Sequence, residues 1–404
     1  MENKKPVQIF TILTFVGIYL FVTGVSFAFF DYIKKPLALR QGQDTQSMEE
    51  DEDLLIDVSG PKTESCLLNG KLYTKAEKEV WSTRRPLAVM IENHPEARPQ
   101  SGLSNADVIY EAVAEGGITR FLVMFYCGAV AKENIIGPVR SARTYFLDFA
   151  SEYGETPLYI HVGGAHCDPQ TGDGCLNGAK ADALGQIGTY GWEGENDLNQ
   201  FSIGFPTFWR DYERIGHTVA TEHTMYSTTE RLWAMAKKRD WTNEDPDGVD
   251  WTENFVPWSF LTEKDDQETG DKTSISFSFW EDYKESAVKW EYDAENRVYK
   301  RLNADKVHKD LNTDTQLTTK TVVVQLMKES SANDGYPGNV HLLYGTIGEG
   351  KALIFSQGNV EQVKWVKKSR KARTTFYLSS GKEYKFNPGI IWIEIVPLGT
   401  EVTY

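Results

Sequence analysis

The chain has 404 residues, of which 40% are hydrophobic, 12% aromatic and 25% charged. That balance is globular, and the aromatic content excludes a disordered protein. Acids outnumber bases 58 to 43, a net charge of −15, which argues against general nucleic-acid binding because neutralising phosphates needs a basic surface. Four cysteines are too few for a disulfide-built scaffold, so the core must come from apolar packing.

Ile9 to Phe30 contains no charged residue. At about 1.5 Å per residue it spans a hydrocarbon core of about 30 Å, and it exceeds the roughly 7–15 apolar residues of a secretory signal. Residues 9–30 therefore read as a retained transmembrane anchor, with Ser26-Phe27-Ala28 leaving a cleaved signal as the alternative. Lys4 and Lys5 precede the span and Lys34, Lys35 and Arg40 follow it, so charge does not set the orientation. The short tail, residues 1–8, favours a cytoplasmic amino terminus and an extracytoplasmic bulk, single-pass in a bacterial cytoplasmic membrane. No cysteine ends the apolar run to carry a lipid. Residues 31–80 read as a tether, because Asp44, Glu49, Glu50, Asp51, Glu52 and Asp53 repel one another and resist collapse.

From residue 81 the pattern becomes globular. Leu87–Ile91 has strand character. Runs on either side of Gly116-Gly117 predict a hairpin, although Asp107, Glu111 and Glu115 recur every fourth residue and leave a helix open for the first run. A helix is expected over Arg143–Tyr153, a strand over Leu158–Val162, and a helix from Ser227 or Thr228 to Lys238. Residues 263–272 are polar and read as a linker between domains 81–262 and 273–404. Beyond it, Ser274–Phe279, Val288–Tyr292, Val298–Leu302, Val322–Leu326, Val340–Tyr344, Ala352–Phe355, Thr374–Leu378 and Ile390–Val396 read as strands. The fold class expected is α+β, a mixed α/β first domain and a mostly β second domain after one transmembrane helix.

Several motifs resemble the YerB-like family of bacterial envelope lipoproteins of unknown function. They include Arg85-Pro86-Leu87-Ala88-Val89-Met90-Ile91-Glu92-Asn93-His94, Ala97–Leu103, Ala106–Glu111, Glu115–Phe121 and Ile136–Arg143. Later carriers are Gly348-x-Gly350-Lys351-Ala352, Trp365 with Lys367, and Asn387-Pro388-Gly389 with Trp392. The resemblance covers about residues 84–400. It implies an extracytoplasmic protein of two mixed α/β domains and no established reaction.

Arg98, Arg120, Arg140 and Arg143 fall inside those motifs. Arg140 and Arg143 are three apart near a predicted helix start, where both would face one side. Forked guanidiniums suit phosphate, carboxylate or anionic glycan, so these four with Asn93 and His94 form the candidate ligand site. The alternative is internal pairing with Asp107, Glu111 or Glu115. Glu111 and Glu115, on one face by either period, could act as acid and base in glycan cleavage or transfer, with His223 as a candidate base. Lys364, Lys367, Lys368, Arg370, Lys371 and Arg373 crowd around Trp365 and could meet a polyanion. The alternative is a solvated loop.

His161, His166, Cys167, Asp168, Asp173 and Cys175 are zinc-ligand types without a zinc spacing. A Cys167–Cys175 disulfide is the expectation outside the cytoplasm, and Cys66 with Cys127 is the weaker pairing. No metal or cofactor is called for. The leading reading is a tethered envelope binding or accessory module for an anionic glycan or lipid-linked phosphate, with an envelope protein as another possible partner and nucleic acid excluded. A cell-wall hydrolase or transferase and a structural scaffold are the alternatives.

Overall fold

Leu87–Glu92 (β1) is buried along its whole length, as expected of a strand covered on both faces. It lies in a ten-stranded sheet with Val108–Glu115 (β2), Ile118–Phe125 (β3), Leu158–His161 (β4) and Asp197–Asn199 (β5). A computed structural model describes residues 54–404, apart from 246, 263–268, 282, 337 and 339. The expected anchor, Ile9–Phe30, and most of the tether lie outside the described residues. Among the described residues no helix is long and apolar enough to cross a membrane.

A second set of strands builds a five-stranded sheet: Ser274–Ser278 (β6), Ala287–Asp293 (β7), Val298–Asn303 (β8), Lys306–Val307 (β9) and Thr318–Thr319 (β10). The chain then returns to the large sheet with Thr321–Met327 (β11), Gly348–Ser356 (β12), Asn359–Lys367 (β13), Thr375–Tyr377 (β14) and Ile391–Pro397 (β15). The large sheet runs β14-β13-β12-β11-β15-β2-β3-β1-β4-β5. β11, β15 and β2 are parallel, as are β1, β4 and β5. Because β3 is antiparallel to both β2 and β1, all six of these strands end at one edge. Strands from both sides of residues 263–272 thus share one sheet, and Asp53–Tyr404 is one compact unit.

The fold is mixed α+β, with few helices and a mostly β carboxy-terminal region. Gly116 and Gly117 take φ of +55° and +83° in the β2–β3 turn, the left-handed pair that a two-residue hairpin needs. The helices expected near Arg143 and Thr228 are Thr144–Ala150 (α1) and Thr229–Lys238 (α2). Thr228 caps α2 by accepting from Arg231 N at 3.2 Å. Tyr110 stacks on Phe149 of α1, while its neighbour Ile109 shares a face with Trp392, which meets Trp290 of β7. The large sheet therefore carries α1 on one face and the five-stranded sheet on the other.

The tether ends earlier than residue 80. Strands Lys62–Ser65 and Leu72–Thr74 pair, and a helix over Lys75–Trp81 opens with a Thr74–Glu77 capping box. Cys66, Leu68 and Tyr73 are buried in the core, and a Cys66–Cys127 disulfide joins this segment to the end of β3. Acidic repulsion stops at Asp53, so it did not govern the stretch that follows.

Candidate functional site

Glu92 ends β1 and pairs with Arg120 of β3, which puts both on the helix-bearing face. Arg120 NH1 donates to Ser141 O at 2.9 Å and NH2 to Glu115 Oε1 at 3.2 Å. Arg143 NH2 donates to Glu115 Oε2, and His341 Nε2 lies 3.4 Å from the same oxygen. His341 Nδ1 lies 2.6 Å from Asp334 Oδ2. Burial works against the Glu115 charge, but the Arg120 and Arg143 guanidiniums hold its carboxyl far below the usual range. Glu115 is therefore an ionised partner and a poor proton donor.

A second carboxylate anchors the neighbouring cluster. Arg140 Nε donates to Glu92 Oε1 at 3.1 Å, and His223 Nδ1 to Glu92 Oε2 at 2.7 Å. Burial would raise Glu92, yet the His223 hydrogen bond and Arg140 hold it below its ordinary value. His94 stacks on His223 with ring centres 4.7 Å apart.

Arg140 and Arg143 do not share a helix face. Arg140 N donates to Met90 O and Ala142 N to Gly163 O, both at 2.9 Å. These bonds hold residues 139–142 as extended chain, and Arg143 is the residue before α1, with extended backbone. The two guanidiniums consequently serve different carboxylates.

Asn93 points to the opposite face. Its Nδ2 donates to Glu111 Oε1 at 3.0 Å, and its Oδ1 accepts from Arg98 Nε at 2.9 Å and from Gln100 Nε2 at 2.8 Å. The six expected ligand residues are thus split by the sheet: Arg120, Arg140, Arg143 and His94 gather on one side or its rim, Asn93 and Arg98 on the other.

Glu111 and Glu115 are split as well, against the expectation of a shared face. The β2–β3 register shifts between Val113 and Glu115. This bulge adds one residue and turns Glu115 towards Arg120. Glu111 faces the five-stranded sheet, where Arg301 NH2 donates to Glu111 Oε2 and NH1 to Glu394 Oε1, both at 2.6 Å. All three side chains are sealed from solvent. Two carboxylates on opposite faces, each held by arginine, lack the arrangement that glycoside cleavage needs.

Beside that buried network a cleft of about 320 Å³ opens between Pro95–Pro99 and the β8–β9 hairpin. Arg98, Lys306, Lys309, His308 and Asn303 contribute its polar wall, with Glu285 as the acid. Burial lowers the Arg98 guanidinium to about 10, leaving it charged at neutral pH. Burial and the Arg301 charge push His308 well below its usual value. His308 Nδ1 accepts from Arg301 Nε at 3.1 Å, so a neutral His308 donates from Nε2 to Gln100 Oε1 at 2.6 Å.

The basic cluster around Trp365 does not form a common surface. Lys367 Nζ lies 2.9 Å from Glu152 Oε1, and Arg373 NH1 lies 3.2 Å from Glu152 Oε2, all buried. Lys371 pairs with Glu155 and Lys364 with Glu349. Arg370 donates to Ser151 Oγ at 2.6 Å, while Lys368 stays exposed. Cys167 and Cys175 are disulfide-bonded. His161 is fully buried between Asp197 Oδ1 and Gly163 O, at 2.7 and 2.6 Å, away from exposed His166.

Glu92, Glu96, Arg301, His308 and His341 were not singled out from the sequence. A carboxylate closing the apolar run of β1 was the available signal for Glu92. The others depend on contacts between distant segments, such as Arg301 with Glu111, 190 residues apart.

Residues 72–242 match the family described as "Protein of unknown function (DUF3048) N-terminal domain", and residues 275–393 match its C-terminal domain. The chain is 27% identical over 324 residues to the "Putative lipoprotein YerB" of Bacillus subtilis (strain 168), across 80% of this chain and 84% of that protein. The crystal structure of the YerB protein from Bacillus subtilis has a similar fold, with a TM-score of 0.64 and 24% identity. The match covers 85% of this chain and 100% of that one. The resemblance read from the sequence motifs is borne out.

Proposed function

The chain belongs to the DUF3048 family, and from that premise we propose that it is a membrane-tethered, extracytoplasmic binding module for an anionic envelope ligand. Two disulfides suit an oxidising compartment. The relative named a lipoprotein supports envelope attachment. Here the apolar, uncharged segment Ile9–Phe30 would provide the tether.

The observation that carries the binding reading is the cleft beside Arg98. Its cations, Arg98, Lys306 and Lys309, face a single lining carboxylate, Glu285, between apolar walls from Pro95, Pro99 and Val307. Arg98 is held rigidly, with NH2 donating to Asn93 O at 2.9 Å and to Glu285 O at 3.2 Å. Lys306 is exposed and can close on a ligand. Lys309 Nζ pairs with Asp314 Oδ1 at 2.9 Å, and a fixed guanidinium with one mobile ammonium group, Lys306, suits a phosphate or carboxylate on a glycan or a lipid-linked carrier.

Calorimetric titration of the purified protein with envelope-derived anionic glycans and with lipid-linked phosphates tests this. Saturable, salt-sensitive binding is expected, weakened about tenfold or more by Lys306→Glu with Lys309→Glu. Binding that ignores this double reversal would overturn the cleft assignment.

A further inference from the structure

Next to that cleft, but independent of it, His94, Glu96 and His223 bring ligand atoms within 4.8 Å of one another. We propose that these three side chains form a divalent-metal site for a zinc-class ion, built on a buried carboxylate–histidine pair. The cleft's cations play no part in it, so its test and the ligand titration can fail separately.

His223 is the fixed member. Its Nδ1 donates to Glu92 Oε2 at 2.7 Å, and Glu92 is itself buried and braced by Arg140. This is how ligating histidines are held: one ring nitrogen donates to a carboxylate, which orients the ring and leaves the other nitrogen for the metal. His223 Nε2, the nitrogen not used on Glu92, lies 3.7 Å from Glu96 Oε2. That separation is too long for a hydrogen bond, so the pair faces without a bond between its atoms.

His94 and Glu96 complete the set from the turn that follows β1. The His94 and His223 rings lie face to face at an interplanar angle of 13°, and His94 Nδ1 accepts from Glu96 N at 3.2 Å, which leaves Nε2 as the nitrogen His94 would offer an ion. Zinc holds nitrogen and oxygen ligands at about 2.0–2.2 Å, so the set must contract around the ion. Glu96, whose side chain is 59% exposed, can swing inward, and the half-buried His94 must turn out of its stack on the fixed His223, because an ion lies in the plane of each ring that binds it. Two imidazoles and one carboxylate suit zinc and its first-row neighbours better than calcium or magnesium. Three protein ligands leave a further position for water or an incoming ligand.

Sequence spacing concealed the set. His94 and Glu96 are two apart, but His223 arrives from a separate turn, Thr221–His223, and its partner Glu92 is 131 residues away.

The test is titration of the untagged, metal-stripped protein with Zn²⁺ by calorimetry and with Co²⁺ by visible absorption. A single saturable site is expected, with Co²⁺ giving an intense low-symmetry spectrum. Glu92→Gln should weaken affinity by about 10–100-fold, as loss of an outer partner does. His94→Ala and Glu96→Gln should weaken it at least as much, and circular dichroism should report unchanged folds. Glu96→Gln is the decisive variant because that residue is at the surface. The proposal is overturned if the stripped protein takes up no Zn²⁺, or if binding survives in a His94→Ala, Glu96→Gln double variant.

Discussion

On one face of the large sheet a single base, Arg301, lies between two acids, Glu111 and Glu394. On the other a single acid, Glu152, lies between two bases, Lys367 and Arg373. Both clusters are sealed from water, and neither balances by counting charges. The acid-rich cluster is relieved by a proton. Burial first, and the Glu111 charge beside it, push Glu394 up to about 8 despite Arg301. The base-rich cluster is relieved by neutral acceptors. Lys367 Nζ donates to Arg370 O and Ala372 O, each at 2.8 Å, and the Arg373 guanidinium lies 3.5 Å from the centre of the Trp258 ring. The difference is chemical: a carboxyl can hold a proton, whereas surplus cations here are met by carbonyls and π faces.

The largest expected effect comes from removing the centre of the acid-rich cluster. Arg301→Leu leaves Glu111 and Glu394 buried without their cation, and breaking a buried pair this way costs about 3–5 kcal/mol. Trp290, Trp392 and Phe121, which surround the guanidinium, cannot replace its hydrogen bonds. Urea denaturation should show the midpoint falling accordingly. An unchanged midpoint would mean that the triad is not closed to water.

The next effect separates the clusters by pH. A carboxyl raised in the folded state keeps its proton where the unfolded chain has lost it. Its stabilisation is complete below the unfolded value of about 4.5 and is lost as pH climbs to about 8. Glu394→Gln imitates the protonated form and does not titrate. The variant should match the wild type near pH 4.5 and exceed it by a margin that widens as pH rises towards 8. A constant difference across that range would place the retained proton elsewhere.

How much of this was legible in the sequence depends on the range of the contact. The β2–β3 hairpin was readable because Gly116-Gly117 signals its turn locally, and α2 because Thr228 caps it. Strand β13 was not recognised, since its lysines drew attention to charge. Its period of two was nevertheless present from Gln362 onward: Val363, Trp365 and Lys367 are buried, while Gln362 and Lys364 are exposed. That alternation carries Lys367 inward to Glu152. The opposite placement of Glu111 and Glu115 was not readable, because a one-residue bulge leaves no pattern in an otherwise regular strand. The four arginines expected to form one site were instead divided between the two faces of the sheet. Which carboxylate each would meet depended on chain paths between distant segments.

The smallest effect tests whether charge parity or hydrogen bonding governs the base-rich cluster. Lys367→Met keeps the stem's apolar length and leaves Glu152 paired with Arg373 alone, one charge against one. If parity governed, the change would be neutral or stabilising, as Glu394→Gln is expected to be at pH 8. The structure favours loss, because the substitution strips a donor from Arg370 O, Ala372 O and Glu152 Oε1 together. Thr374 Oγ1 still donates to Glu152 Oε1 at 2.5 Å, so the carboxylate stays partly satisfied and the two carbonyls bear the change. Stability should fall by about 1–2 kcal/mol, read from the thermal midpoint at neutral pH. A rise would show that surplus charge, and not the orphaned carbonyls, is the dominant strain on that face.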